Sequence, residues 1–193
     1  MNLVIVDYKA GNVQSVLFAL ERLGVQATLS SDFETIQAAD KVIFPGVGEA
    51  SSAMAQLKAR NLDKLLPTLQ QPFFGVCLGM QLLCQHSEEG DTDLLGIIPL
   101  QVKRFQTTLK VPHMGWNQLE QLQSPLFEGI QEQEYVYYVH SYYVPLSEYT
   151  IARSSYPEPF SAALQYKNFY AAQFHPEKSG PAGARILQNF LAI

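Results

Sequence analysis

A three-layer α/β sandwich, with a mainly parallel central sheet and antiparallel strands in the C-terminal half, is the fold class the sequence predicts. Three observations carry the prediction. Short apolar runs alternate with segments of helical period through the first half, the pattern of parallel strands covered by helices on both faces. Two of those runs stop at glycine-bearing turns, Pro45-Gly46-Val47-Gly48 and Gly75-Val76-Cys77-Leu78-Gly79, and ligands in such sheets gather at the carboxyl ends of strands. From Leu100 onward, strand-like runs follow one another until a final helical segment. Nothing reads as a linker, repeat or low-complexity stretch, so residues 1–193 are expected to form one domain large enough for a substantial core.

In chain order, residues 3–6 read as a buried strand, and Val13, Val16, Leu17, Leu20 and Leu23 then recur at helical spacing until Gly24 ends the run. Strands follow at 25–29, 41–44 and 73–76. Helices are placed within 31–39, where Ser31 and Glu34 have capping-box spacing, within 50–57, and after Cys77. The second half offers strands at 100–105, 135–139, 150–153, 162–166 and 169–174, with Lys167-Asn168 as a hairpin turn between the last two. Tyr135, Tyr137, Tyr138, Tyr142 and Tyr143 crowd this half, mostly as strand packing. A helix over 181–191, with Pro181 in its first turn, completes the pattern.

Composition narrows the function classes. The chain is 47% hydrophobic with a formal charge of −5 and no basic stripe, which argues against nucleic acid as a partner. No apolar stretch approaches the length of a membrane span. Met1-Asn2-Leu3-Val4-Ile5-Val6-Asp7 begins directly as a strand, without the parts of a signal peptide, and the expected compartment is the cytoplasm. Cys77 and Cys84 are the two cysteines, placed two turns apart on one expected helix face and too distant for a disulfide. Cys84 reads as a small core residue. His86, His113, His140 and His175 are scattered without ligand spacing, so neither a metal nor a cofactor is assigned.

The chemistry begins at Phe73-Phe74-Gly75-Val76-Cys77-Leu78-Gly79-Met80-Gln81. An apolar strand that ends in Gly-x-Cys-x-Gly and continues as a helix is a nucleophile elbow, whose small flanking residues let two backbones approach closely. A helix N-terminus would favour thiolate over thiol at Cys77. Taken alone, the motif reads equally well as a buried cysteine between loop glycines. Far downstream stands Gln173-Phe174-His175-Pro176-Glu177. A thiolate attacking an amide needs a base that later protonates the leaving nitrogen, and that base needs a third group to orient it. His175 and Glu177 fit, with Pro176 keeping the segment extended; alone, His-Pro-Glu reads first as a surface turn.

Together these motifs resemble the class I (triad) glutamine amidotransferases, in which a cysteine, a histidine and a glutamate two residues beyond it hydrolyse glutamine. The resemblance runs from Val4 to the C-terminal helix and implies a flavodoxin-like sheet. It also implies an oxyanion hole from the loop at Gly46, Val47 and Gly48 and the N–H of Leu78. Val111-Pro112-His113-Met114-Gly115-Trp116-Asn117, His140-Ser141-Tyr142-Tyr143 and the opening Asp7-Tyr8-Lys9-Ala10-Gly11-Asn12 are similar to the glutaminase subunits of imidazole glycerol phosphate synthases, in histidine biosynthesis. Lys9 stands where many relatives carry glycine, and lysine is costly there if φ is positive.

That resemblance implies L-glutamine as substrate, with Gln81, Glu89, Ser141 and Tyr142 holding it. Bare sequence makes Gln81 and Glu89 solvated residues. The implied partner is a (β/α)₈ cyclase subunit in a heterodimer, which uses the ammonia to form imidazole glycerol phosphate and aminoimidazole carboxamide ribotide. Asn12, Met114, Trp116, Tyr138 and Lys178 match positions near that interface, although Trp116 reads equally as a core anchor. Three other readings share parts of the pattern: an amidotransferase of another pathway, a cysteine hydrolase of another elbow family, and a binding subunit without activity. The first should lack the segment at 112–117, the second does not need Pro-Gly-x-Gly, and the third would normally have lost a triad member.

Overall fold

The computed structural model describes residues 1–9 and 12–193; Ala10 and Gly11 of the opening motif lie outside them. The strands are β1 (Leu3–Val6), β2 (Ala27–Ser30), β3 (Lys41–Gly46), β4 (Phe73–Cys77), β5 (His86–Ser87), β6 (Thr92–Asp93), β7 (Gln101–Arg104), β8 (His113–Gln118), β9 (Tyr135–His140), β10 (Tyr142–Tyr143), β11 (Thr150–Ser155), β12 (Pro159–Tyr166) and β13 (Phe169–Ala172). The α-helices are α1 (Val13–Arg22), α2 (Phe33–Gln37), α3 (Ala50–Ala59), α4 (Leu62–Leu65), α5 (Leu78–Leu82) and α6 (Gly180–Ala192).

A seven-stranded sheet in the order β11-β12-β13-β4-β3-β1-β2 forms the centre. From β2 across to β13 every neighbouring pair is parallel, and β12 and β11 add antiparallel pairings at one edge. Strand alternation divides the core between two faces. Val4 and Val6 of β1 pack with Phe44 and Phe73 beneath α3 and α4, where Met54, Leu57, Leu62 and Leu65 are buried. Leu3 and Ile5 face the other way, with Ile43 and Phe74, onto Leu20 of α1 and Ile186, Leu187 and Phe190 of α6. Phe74 stacks on Phe190 with centroids 5.0 Å apart; each such buried side chain contributes roughly 1.5–3 kcal/mol by leaving water.

The predicted fold class is therefore present, and its details differ where local signals competed. The first half matches closely in order, but α2 is capped by Asp32 rather than Ser31: the Asp32 carboxylate accepts from the Thr35 N–H at 2.9 Å and the Thr35 hydroxyl at 2.7 Å. A carboxylate is the stronger acceptor, and it moves the helix start by one residue. α5 ends at Leu82, so Cys77 and Cys84 do not share a helix face as expected. Lys9 has φ of 61°, the left-handed conformation that is costly for lysine. Lys167 takes φ of 54° in the expected hairpin turn between β12 and β13. The segment at 112–117 is mostly the unanticipated strand β8, paired with β9 in a two-stranded ribbon. A small sheet, β10-β7-β5-β6, stands apart from the main one.

Candidate active site

The site is built where β4 stops. Cys77 has φ of 54° and ψ of −110°, a conformation that costs a residue with a Cβ about 1–3 kcal/mol. Close backbone approach makes the turn possible. A Cβ on Gly79 would collide with the Phe44 carbonyl oxygen, and one on Gly75 would stand 2.9 Å from the Gly79 carbonyl oxygen. α5 begins at Leu78, immediately after the bend, and is only five residues long, so its dipole is weaker than the sequence implied.

β3 lies beside β4 with Gly46 opposite Cys77. That register carries the loop at 46–48 to the edge of the elbow. Val47 and Gly48 line a cavity of about 300 Å³ together with Cys77, Leu78 and His175. Gly46 does not line it; a Cβ there would meet the Tyr8 hydroxyl at 2.6 Å. The Tyr8 hydroxyl itself donates to the Pro45 carbonyl at 3.1 Å, tying the end of β3 to the segment that follows β1. Burial and the nearby charge of Cys77 hold the Tyr8 phenol protonated.

β13 is the other neighbour of β4, with Ala172 opposite Val76. This pairing brings His175 to Cys77 across a long sequence separation. His175 is extended, φ −100° and ψ 95°, and the turn at Pro176–Lys178 folds Glu177 back beneath it. The imidazole Nδ1 donates to Glu177 Oε1 at 2.8 Å, with both side chains almost wholly buried. Among the described residues Nε2 has no hydrogen-bond partner, which leaves it as the ring nitrogen available to sulfur. Burial pushes the imidazole pKa down, but interactions with the Cys77 sulfur and the Glu177 carboxylate outweigh it and hold the ring above its ordinary value.

Gln81, Glu89, Ser141 and Tyr142 all border the same cavity, and neither Gln81 nor Glu89 is a merely solvated residue. Gln81 is buried, its amide donating to the Tyr142 carbonyl and to Gln173 Oε1, each at 3.0 Å. Glu89 accepts the Ala50 N–H of α3 at 2.8 Å. Burial lifts its carboxyl above the usual range despite that bond, with Glu49 pushing the same way. Sequence reasoning gave no role to Gln173, whose Nε2 lies 3.8 Å from Cys77 Sγ, nor to the buried pair His113 and His140, joined Nδ1 to Nε2 at 2.9 Å. The only early signal was that each of the three stands within a motif singled out for other residues. Among the described residues, no group of three or more histidine, cysteine, aspartate or glutamate side chains is arranged to hold a metal.

Of the expected interface residues, Asn12 and Lys178 are exposed. Met114 and Trp116 are 57% and 55% exposed, so Trp116 is not a core anchor. Tyr138 requires correction. It is fully buried, its hydroxyl 2.7 Å from Ser154 Oγ, and cannot touch a partner in this conformation. Strand alternation instead turns Tyr137 toward Trp116, its register partner, with ring centroids 6.0 Å apart and the Lys178 ammonium 5.9 Å above the Tyr137 ring.

The family model described as glutamine amidotransferase class-I matches residues 4–193. A relative from Bacteroides thetaiotaomicron named imidazole glycerol phosphate synthase subunit HisH is 57% identical over all of both chains. One of the same name from Idiomarina loihiensis is 48% identical, covering 100% of this chain and 98% of its own. A solved glutamine amidotransferase superposes with a TM-score of 0.77 at 21% identity, over 98% of this chain and 97% of that one, and speaks to the fold alone. No helix among the described residues is long and apolar enough to cross a membrane. Since the family match begins inside β1 and takes in both the elbow and the His175 turn, the chain belongs to the class-I glutamine amidotransferases.

Proposed function

We propose that the chain is the glutaminase subunit of an imidazole glycerol phosphate synthase, hydrolysing L-glutamine to glutamate and ammonia and passing the ammonia to a cyclase subunit in a heterodimer. The observation that carries the reading is that Cys77 and His175, the imidazole held from behind by Glu177, border one cavity also lined by Gln81, Ser141 and Tyr142. The full-length relatives supply the pathway through their name.

In this mechanism His175 Nε2 takes the Cys77 proton, or already holds it in an ion pair with the thiolate, and sulfur attacks the side-chain carbonyl carbon of glutamine. The carbonyl electron pair moves to oxygen. The resulting oxyanion is held by the Leu78 N–H and by backbone N–H groups of the loop at 46–48, about 3 kcal/mol per donor. Gly46 contributes chiefly by allowing close packing at the base of that loop. Protonated His175 gives its proton to the leaving nitrogen, the C–N bond breaks, and ammonia departs. Water, deprotonated by His175, then attacks the glutamyl thioester and restores the thiol with release of glutamate. Glu177 keeps Nδ1 protonated throughout and stabilises the imidazolium. Gln81 retains Oε1 as a free acceptor toward the substrate, and Glu89 has one oxygen left for its ammonium.

Ammonia that reached water would be protonated, so its use requires a docked partner. The exposed Met114, Trp116 and Lys178 around the half-buried Tyr137 suit that docking, as does the exposed Asn12. Glutamate release from glutamine, measured with and without a purified cyclase subunit and its phosphoribulosyl-formimino nucleotide, tests the assignment. Turnover that depends on that partner is expected; turnover that responds only to a different synthase would place the chain in another pathway.

A further inference from the structure

Gln173 is wholly buried just beyond β13, and a buried amide must place both its donors and its acceptor. Gln81 fixes which end is which. Its two amide hydrogens go to the Tyr142 carbonyl and to Gln173 Oε1, so Gln173 presents Nε2 to the Cys77 sulfur at 3.8 Å. The orientation is fixed from the far side as well. The Tyr142 carbonyl also accepts from His140 Nδ1 at 2.7 Å; His140 Nε2 therefore accepts from His113 Nδ1, and His113 Nε2 accepts from the Asn117 amide at 3.3 Å. A carbonyl can only accept, so one set of tautomers and amide orientations satisfies every member. The chain of bonds runs from β8 through β9 and α5 to the candidate nucleophile.

Two partners compete at the sulfur. The Val139 carbonyl lies 3.8 Å from Cys77 Sγ, where a thiol can donate to it but a thiolate is repelled. The Gln173 N–H acts in the opposite sense, since a donor to an ionised acceptor forms a shorter and stronger bond than a donor to a neutral one. The other titratable groups coupled to the sulfur are His175, with Glu177 behind it, and the Tyr8 hydroxyl. We infer that Gln173 is a positioning residue for Cys77, clamped by Gln81 so that its N–H faces the sulfur and favours thiolate over thiol. This rests on reading Cys77 as the nucleophile.

Alkylation of the whole subunit by iodoacetamide, followed at the Cys77 peptide by mass spectrometry across pH, tests the inference without needing glutamine turnover. Cys84 is fully buried and serves as the unreactive reference. Gln173→Met should slow alkylation of Cys77 about tenfold near pH 7, the loss of one charge-assisted hydrogen bond. The gap should close at alkaline pH, where the thiol ionises without help. Gln173→Glu, which places a carboxylate beside the sulfur, should slow it further, and Gln81→Met should act in the same direction more weakly by releasing the clamp. Equal rates in Gln173→Met and the parent near pH 7, or a deficit of the same size at every pH, would overturn the inference. If Gln173→Met does not fold by circular dichroism, Gln81→Met decides by the same two criteria. An unreactive Cys77 in the unsubstituted protein would instead overturn its reading as the nucleophile.

Discussion

At Cys77 a strained backbone, with φ of 54°, is held by its neighbours rather than by its own preferences. Gly79→Ala should therefore destabilise the protein by at least about 1–3 kcal/mol, because the added methyl meets the Phe44 carbonyl and the elbow must open to admit it; urea unfolding measures the loss. In the proposed triad, Glu177→Gln should reduce turnover less than His175→Ala. An amide oxygen still accepts the Nδ1–H bond seen at 2.8 Å, although it no longer offsets the imidazolium charge. Steady-state kinetics on folded variants compares the two, and equal, complete loss would give Glu177 a further task. These three residues were legible in the sequence because each motif is local: Gly-x-Cys-x-Gly needs its glycines at fixed offsets, and Glu177 reaches His175 across one proline. Gln173 was not legible. Its clamp, Gln81, comes from a different element, and nothing local distinguishes its side chain from any other polar residue at a strand end.

At the scale of elements the β8–β9 ribbon has the clearest two-sidedness. One face carries Met114, Trp116 and Tyr137 outward, and the other buries His113, Tyr138 and His140. The family resemblance placed Tyr138 near the interface, whereas the ribbon turns it to the buried face. The alternation of Val136, Tyr138 and His140 against Tyr135, Tyr137 and Val139 was the available signal. β8 itself was obscured by Gly115 and by polar residues at its end, whereas the long apolar strands of the main sheet stood out. Trp116→Ala should leave the melting temperature nearly unchanged and weaken cyclase binding by more than about 1 kcal/mol, roughly fivefold or more in Kd by calorimetry. Burial depresses His113 to about 4 and His140 to about 3 from an ordinary 6.5. The folded protein thus refuses protons that the unfolded chain binds below pH 6.5. Their contribution to stability is complete above 6.5 and falls as pH drops toward about 4, by up to about 1.4 kcal/mol per pH unit for each histidine. His175 is shifted upward, is protonated in both states below 6.5, and adds nothing to that slope. Urea unfolding at pH 7 and pH 5 should show the loss, and His113→Phe, which preserves the stacking on Tyr138 and Tyr156, should flatten it.

Across the whole molecule, one parallel sheet assembles the site from segments that are remote in sequence: β3 brings the loop at 46–48, β4 the elbow, and β13 the His175 turn. Alternation of strands and helices made this order legible in the first half, as did the arrival of reactive residues at strand ends. The small sheet β10-β7-β5-β6 was largely hidden, since two-residue strands leave no period to read. Regulation belongs to this scale. The free subunit is expected to hydrolyse glutamine slowly, with cyclase and nucleotide accelerating it about a hundredfold, equivalent to about 2.7 kcal/mol and comparable with one oxyanion donor at the loop bearing Gly48. Comparing the free subunit, the binary complex and the nucleotide-bound complex reads this directly. The central claim is that hydrolysis proceeds through the Cys77 sulfur, and the most direct measurement is glutamate release by Cys77→Ala in complex with the cyclase and nucleotide. The account predicts no glutamine hydrolysis above background, with cyclase binding and ammonium-supported cyclisation retained; substantial glutamate release by that variant would contradict it.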